Sequence, residues 1–254
     1  MVFLSDLDGT LIDKEGKIHP SDVQAIHTWT AQHSFGLVTG RDKAFCLELM
    51  KRYSLDCDYL ITNNGANAYA YNQCVYSSLI DLEQSIQICK SIIENSKHDI
   101  FYTNDKGERF YPIHEYGKSR FQSFCQKNPS LNHFSDIDLI DSLNSGLAKI
   151  SLYIPQDIDQ WLKMYRNVFK NVEVMKTSSD YIEITSKGTN KWTAFKKLNL
   201  NECAFIGDGE NDRLMLENLE NTYVMKHAPK KILSLGVNVD CVAQAIQIEG
   251  EKYV

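Results

Sequence analysis

VFLSDLDGTLID, residues 2–13, sets an apolar run directly against two aspartates one residue apart. Val2-Phe3-Leu4 reads as a short buried strand, since an unbroken apolar run suits a strand covered on both faces. Asp6 and Asp8 then put two like charges where that strand ends. A single carboxylate there would serve as a turn residue or a helix cap. Two repel unless something positive lies between them.

The same rhythm continues outward. Pro20-Ser21-Asp22 opens a helix, with proline at home in the first turn and an acid at the positive end of the dipole. Val23, Ile26, Trp29 and Thr30 form its less polar face. FGLVT, residues 35–39, is a second strand ending in Thr39-Gly40-Arg41. A helix follows, with Ala44, Leu47 and Tyr53 near helical period. Tyr59-Leu60-Ile61-Thr62 is a third strand, ending in Asn63-Asn64-Gly65. Strands alternating with helices predict a parallel α/β sheet.

The pattern then changes. Residues 66–80 read as a hairpin turning at Asn72-Gln73, with tyrosines 69, 71 and 76 in its packing. Leu82, Ile86, Cys89 and Ile93 mark an amphipathic helix over 82–95. Strands at 100–103 and 109–113 flank the turn signal Asn104-Asp105-Lys106-Gly107. Further strands fall at 147–154, 172–175 and 181–185, with a helix at 156–168. The first rhythm returns with a helix at 191–198, a strand at 203–206 ending in Gly207-Asp208, a helix at 212–219, a strand at 223–225 and a closing helix at 240–248. The expected fold is α/β: a Rossmann-like parallel sheet core over residues 1–81 and 185–254, with an inserted α+β domain at 82–184.

Bulk properties narrow the function. The 254 residues are 43% hydrophobic and 24% charged, ordinary for a globular protein. The net charge of −6 is a poor basis for binding nucleic acid. It also means that any phosphate must be met by local lysines, helix N-termini or a metal. No run reaches membrane-spanning length, and the signal-peptide pattern is absent, so a cytoplasmic protein is expected. The seven cysteines are scattered without a CxxC, and the seven histidines lack ligand spacing. A zinc site or disulfide framework is not expected, and several cysteines read as small buried hydrophobes. Oligomeric state leaves no trace in the sequence.

Open parallel α/β sheets bind ligands outside the carboxyl ends of their strands. Here those ends carry Asp6 and Asp8, Thr39-Gly40-Arg41, Asn63-Asn64-Gly65 and Gly207-Asp208-Gly209-Glu210-Asn211-Asp212. Asp6, Asp208 and Asp212 would make an oxygen-rich pocket with no His or Cys nearby, a donor set that fits Mg2+. The alternative makes each acid pair a turn or a helix cap. The meeting of both motifs on one sheet edge favours the pocket.

Asp6-Leu7-Asp8-Gly9-Thr10, Thr39-Gly40-Arg41, Lys191 and Gly207-Asp208-Gly209-Glu210-Asn211-Asp212 together resemble, in order, the four motifs of the haloacid dehalogenase-like hydrolases. The insertion between the second and third motifs resembles the type IIB cap of the Cof-like sugar phosphatases. The resemblance spans the chain. It is specific for the superfamily and far less so for the substrate. It implies that Asp6 is the nucleophile and Asp8 the general acid and base. It implies Mg2+ held by Asp6, Asp208, the backbone carbonyl of Asp8 and, through water or by orienting its neighbours, Asp212. Thr39, Gly40 and Lys191 would hold the phosphoryl group. Asn64, Arg41 and Asn211 would touch the substrate, although a turn closing the third strand explains Asn64 as well. Lys187, Lys196 and Lys197 compete with Lys191, which is preferred because it starts a helix behind Gly188-Thr189-Asn190. Arg109, His114, Arg120 and Lys149 read as surface. Two departures stand out: Trp192, where relatives usually have a small residue, and Lys226-His227, where they tend to have Gly-Asn. The implied activity is Mg2+-dependent hydrolysis of a small phosphorylated metabolite, a sugar phosphate, with the cap closing over the site. Phosphomannomutase-like transfer and non-catalytic phosphosugar binding are the alternatives. Relatives with mutase activity depart from Thr-Gly-Arg, which favours hydrolysis, and mere binding would need neither Asp6 nor Asp8.

Overall fold

Alternate residues of the first strand are buried on opposite faces. Val2 and Leu4 sit in one apolar cluster with Val38, Ile61, Phe205, Val224, Met215 and Ile232. Phe3 lies on the other side, its ring edge-on to Trp29 and tilted against Tyr223. Burial on both faces is why the strand is continuously apolar. The computed structural model describes residues 1–96, 98–104, 109–110 and 143–253. It divides into two compact units: Met1–Arg41, Cys46–Tyr76 and Asn190–Val254 in one, Asp42–Phe45 and Ser77–Thr189 in the other.

The first unit is built on one sheet. Its strands are β1 (Val2–Ser5), β2 (Ser34–Val38), β3 (Tyr59–Thr62), β4 (Asn67–Ala70), β5 (Gln73–Ser77), β11 (Cys203–Gly207), β12 (Asn221–Met225) and β13 (Val237–Val239). Their order is β13-β12-β11-β1-β2-β3-β4-β5. The pairs from β13 to β3 are parallel, and β4 joins β3 antiparallel. The chain winds from β1 outward through β2 and β3, then returns to place β11 on the other side of β1. That reversal makes the rim beyond β1 and β11 a topological switch point, where such sheets leave a crevice. Helix α1 (Pro20–Thr30) begins behind His19, whose Nδ1 accepts from the Ser21 amide. Asp22, in its first turn, is nearly buried and accepts from the Ala243 amide at the start of α8 (Val242–Gly250).

In the second unit, strands β6 (Asp99–Asn104), β7 (Arg109–Phe110), β8 (Leu147–Tyr153), β9 (Val172–Lys176) and β10 (Tyr181–Ser186) form an antiparallel sheet, in the order β7-β6-β8-β10-β9. Helices α3 (Leu82–Asn95) and α4 (Ile158–Val168) supply Ile88, Cys89, Ile92 and Tyr165 to a core with Ile100, Ile150, Leu152, Ile182 and Ile184. The opposite face carries Lys149, Ser151 and Glu183. Lys149 Nζ donates to Glu183 Oε1 at 2.8 Å, and Ser151 Oγ reaches the same oxygen at 3.3 Å. Lys149 is therefore a buried partner of an acid rather than a surface lysine.

Other expectations shift too. In α2 (Lys43–Tyr53) Cys46, Leu49 and Met50 are buried and Leu47 is 41% exposed, so the apolar stripe is out of phase with the one expected. In α3 the buried face is Ser85, Ile88, Cys89 and Ile92, a short rotation from the expected one. Beyond α6 (Arg213–Asn218), two short elements went unforeseen, α7 (Lys230–Leu233) and β13. Cys46, Cys89 and Cys203 are buried, but Cys74 is exposed. The turn at 105–108 and the sites of His114, Arg120 and Cys125 lie outside the described residues. Among the described residues no helix is long and apolar enough to cross a membrane.

Candidate active site

Asp6 follows β1 directly, and its amide extends the ladder by donating to Ile206 O at 2.9 Å. The chain turns at once: the Leu7 carbonyl accepts from the amides of Thr10, Leu11 and Ile12. Asp6 and Asp8 therefore do not share one side of an extended segment, and their carboxylates part. Asp6 is 4% exposed and faces inward. Asp8 is half exposed and gripped by Arg41, whose Nε lies 2.8 Å from Asp8 Oδ2 and whose Nη2 lies 2.5 Å from Oδ1. The Arg41 guanidinium, expected on a substrate, here holds Asp8.

The like-charge problem of the inner acids has a visible answer. Lys191 Nζ lies 2.6 Å from Asp6 Oδ1 and 2.6 Å from Asp212 Oδ1, with its side chain 1% exposed. Burial works against the lysine's charge, yet Asp212 and Asp6 outweigh it and hold the ammonium above its ordinary pKa. Burial, then Asp212, push the Asp6 carboxyl well above the usual range; Lys191 pulls back only in part. Asp208 is raised for the same two leading reasons. Ligand atoms of Asp6, Asp208 and Asp212 all lie within 4.8 Å of one another. With all three ionised, Lys191 cancels one charge and leaves two, the charge of one divalent cation. The donor chemistry, oxygen only among the three, also fits a hard cation.

Local sequence explains how these groups are held. The short helix α5 (Lys191–Phe195) starts at Lys191 because Asn190 caps it, its Oδ1 accepting from the Thr193 amide at 2.8 Å. Asp212 Oδ2 accepts from the amides of Asp208 and Gly209 at 3.1 and 2.9 Å. Both Asp212 oxygens are thus engaged, which suits an orienting role. Asp208 faces Thr10, whose Oγ1 lies 3.3 Å from its Oδ1. Gly9 sits at φ +88°, where a Cβ would come 2.6 Å from Asp208 Oδ2. The glycine of the first acid motif thus leaves room for an aspartate of the last.

Thr39 is fully buried, and its Oγ1 accepts from the Arg41 amide at 3.1 Å, leaving its proton to donate elsewhere. Asn63, Asn64 and Gly65 form a run of left-handed residues, a costly conformation that asparagine and glycine tolerate best. Asn64 is both the expected turn residue and a bridge: its Oδ1 lies 3.3 Å from Asn211 Nδ2, and a Cβ added at Gly40 would come 3.1 Å from its amide. At Gly65 a Cβ would come 2.1 Å from Asn190 O. That contact sets the start of α5, and with it Lys191, against the end of β3. Gly65→Ala is expected to cost at least about 2 kcal/mol and to lower turnover by displacing Lys191. Gly16→Ala, at φ +75° but in open space, is expected to cost about 1 kcal/mol and leave turnover alone. Urea denaturation and a rate assay on both variants check the contrast.

Gly65 and Asn190 were missed as positioning residues, although a glycine behind two asparagines and an asparagine before a helix were signals. His227 stands out in the sequence only as a departure from relatives, and its contact with Asp208 is not foreseen there. The expectation of no histidine near the acids is wrong, because its Nε2 lies 3.4 Å from Asp208 Oδ2. Its neighbour Lys226 turns away to Asp240, at 2.6 Å.

A family profile described as haloacid dehalogenase-like hydrolase matches residues 3–239. The chain belongs to the haloacid dehalogenase-like hydrolases. A protein of Mycoplasma pneumoniae named as a candidate phosphatase is 26% identical over 255 residues, covering 92% of this chain and 90% of the relative. A solved Plasmodium vivax protein described as a candidate HAD/COF-like hydrolase has the same fold, with a TM-score of 0.85, 20% identity, and 99% and 95% of the two chains covered. A solved subclass IIB sugar phosphatase aligns with a TM-score of 0.79 and 19% identity, over 100% of this chain and 99% of its own. This haloacid dehalogenase-like hydrolase thus carries its acids, its buried lysine and its Thr-Gly-Arg turn on one rim of a parallel sheet.

Proposed function

We propose that the protein is a Mg2+-dependent phosphatase of a small phosphomonoester, a sugar phosphate, acting through an aspartyl-phosphate on Asp6. The observation that carries this reading is the buried Asp6–Lys191–Asp212 cluster beside Asp208, which gathers three carboxylates around one lysine at a switch point. In the first step an Asp6 oxygen forms a bond to phosphorus as the bond to the leaving oxygen breaks, and Asp8 gives that oxygen a proton. In the second, Asp8 takes a proton from water as the water oxygen bonds phosphorus, which frees phosphate and restores Asp6. Lys191, the Thr39 hydroxyl and the Gly40 amide would meet the charge on the phosphoryl oxygens. Arg41 would hold Asp8 in position between steps. Asp6, Asp208 and the Asp8 carbonyl would hold Mg2+, which when bound supplies positive charge to the phosphoryl oxygens. The inserted unit over 82–184 would choose the substrate, in keeping with the subclass IIB name of the solved sugar phosphatase.

The test is a screen of purified protein against phosphorylated metabolites. Release of inorganic phosphate that needs Mg2+ and stops with chelator supports the reading. Isomerised product appearing only with a bisphosphate activator would mean transfer instead, and binding without turnover would mean neither. A second expectation concerns stability. Asp6 and Asp208 have folded-state pKa values raised from 3.8, so the folded chain binds more protons than the unfolded one between that value and the raised ones. Without cation, this pair should therefore cost stability as pH rises through that window. Mg2+ at a hundredfold above its Kd should return about 2.7 kcal/mol. Melting curves at pH 4.5 and 7.5, with and without Mg2+, check this, and a cation gain no larger at pH 7.5 would contradict it.

A further inference from the structure

The acid cluster is not served by carboxylates alone. Strand β12 runs parallel to β11, with Gly207 beside Val224, so the turn after β12 emerges at the rim that carries Asp208. Hydrogen bonds on either side fix that turn: Lys226 N to Val239 O and Ala228 N to Met225 O, both 2.9 Å. They leave His227 with its Nε2 3.4 Å from Asp208 Oδ2, on a side chain 57% exposed and able to swing without disturbing the core. Several of the oxygens here are already engaged. Both Asp212 oxygens already accept hydrogen bonds, and Asp6 Oδ1 is taken by Lys191. The imidazole, 3.4 Å from one Asp208 oxygen but outside the group of ligand atoms that lie within 4.8 Å of one another, reaches a shared cation by a turn of its exposed side chain.

We infer that His227 supplies a nitrogen ligand to the cation held by Asp6 and Asp208, and so tilts the site from Mg2+ toward Mn2+. This rests on the reading of the acid cluster as a cation site. The chemistry is that of donor softness. Mg2+ is small and hard, gives up water reluctantly and gains little from imidazole, whereas Mn2+ accepts mixed oxygen and nitrogen sets.

The experiment measures cation binding rather than turnover, on the full chain without added substrate. Free Mn2+ is counted by its electron paramagnetic resonance signal, Mg2+ by competition, and the bound Mn2+ spectrum is examined for modulation from a directly bound imidazole nitrogen. His227→Asn is expected to weaken Mn2+ binding about tenfold or more, to change Mg2+ binding less than about threefold, and to abolish the nitrogen modulation. Asp208→Asn should weaken both cations. If His227→Asn leaves both affinities unchanged and the parent shows no nitrogen modulation, while Asp208→Asn still loses binding, the histidine inference falls and the cation site stands. If the parent binds neither cation, both readings fall.

Discussion

Asp6→Asn is expected to lower phosphate release by on the order of 10⁴-fold or more, because the amide has the shape of the carboxylate without its nucleophilic oxygen. The variant should nevertheless fold. Burial and Asp212 raise the Asp6 carboxyl, so its ionised form costs stability at neutral pH. The amide removes that cost, and without cation the variant should melt no lower than the parent. It should also lose part of the stabilisation that Mg2+ gives the parent. Loss of activity with retained melting temperature separates a lost nucleophile from a lost fold. Retention of more than about a hundredth of the parent rate would remove Asp6 from the chemistry altogether.

Lys191→Met is expected to have the largest effect on stability. Methionine keeps the length of the side chain and deletes the charge, leaving Asp6 and Asp212 buried at 4% and 0% exposure without their shared partner. Breaking a buried ion pair from one side costs about 3–5 kcal/mol. For a chain of this size that lowers the melting temperature by roughly 10 °C. Turnover should fall by on the order of 10²–10³-fold, as for loss of a preorganised donor to a transition-state oxyanion. Adding Asp212→Asn to Lys191→Met should restore part of the stability and none of the turnover, since it removes one of the stranded charges. A drop below about 2 °C in the single variant would mean that the cluster is wetter than its burial indicates.

Much of this site is legible in the sequence, because all of its parts but Lys191 follow a strand with a recognisable pattern. Val2 to Ser5 is apolar on both faces, and its acids come where the ladder stops. The same holds for Cys203–Gly207 and Asp208. What could not be read depends on contacts between distant segments. Nothing beside Gly65 says that the Asn190 carbonyl lies over it, and the resemblance that sets the Lys226-His227 loop near the acids does not name Asp208 as the neighbour of His227. Lys149 looked like surface because its partner, Glu183, belongs to another strand. The phase of α2 was misjudged because Leu47 is apolar yet exposed, while small Cys46 carries the packing. Short elements such as Lys230–Leu233 and Val237–Val239 hold too few residues to show a period.

Strand β1 lies between two neighbours, one spanning residues 34–38 and the other 203–207. On a ribosome adding about 5–20 residues per second, β1 waits about 10–40 s for the second of them. Until then one edge of β1 has no mate, and Asp6 lacks the full set of Lys191, Asp208 and Asp212 around it. On the mechanism proposed above, a nascent or truncated chain that stops short of residue 212 is expected to be inactive, however well its first half has folded. Under the proposed mechanism, catalytic competence therefore waits until residue 212 has been made and has joined the sheet rim.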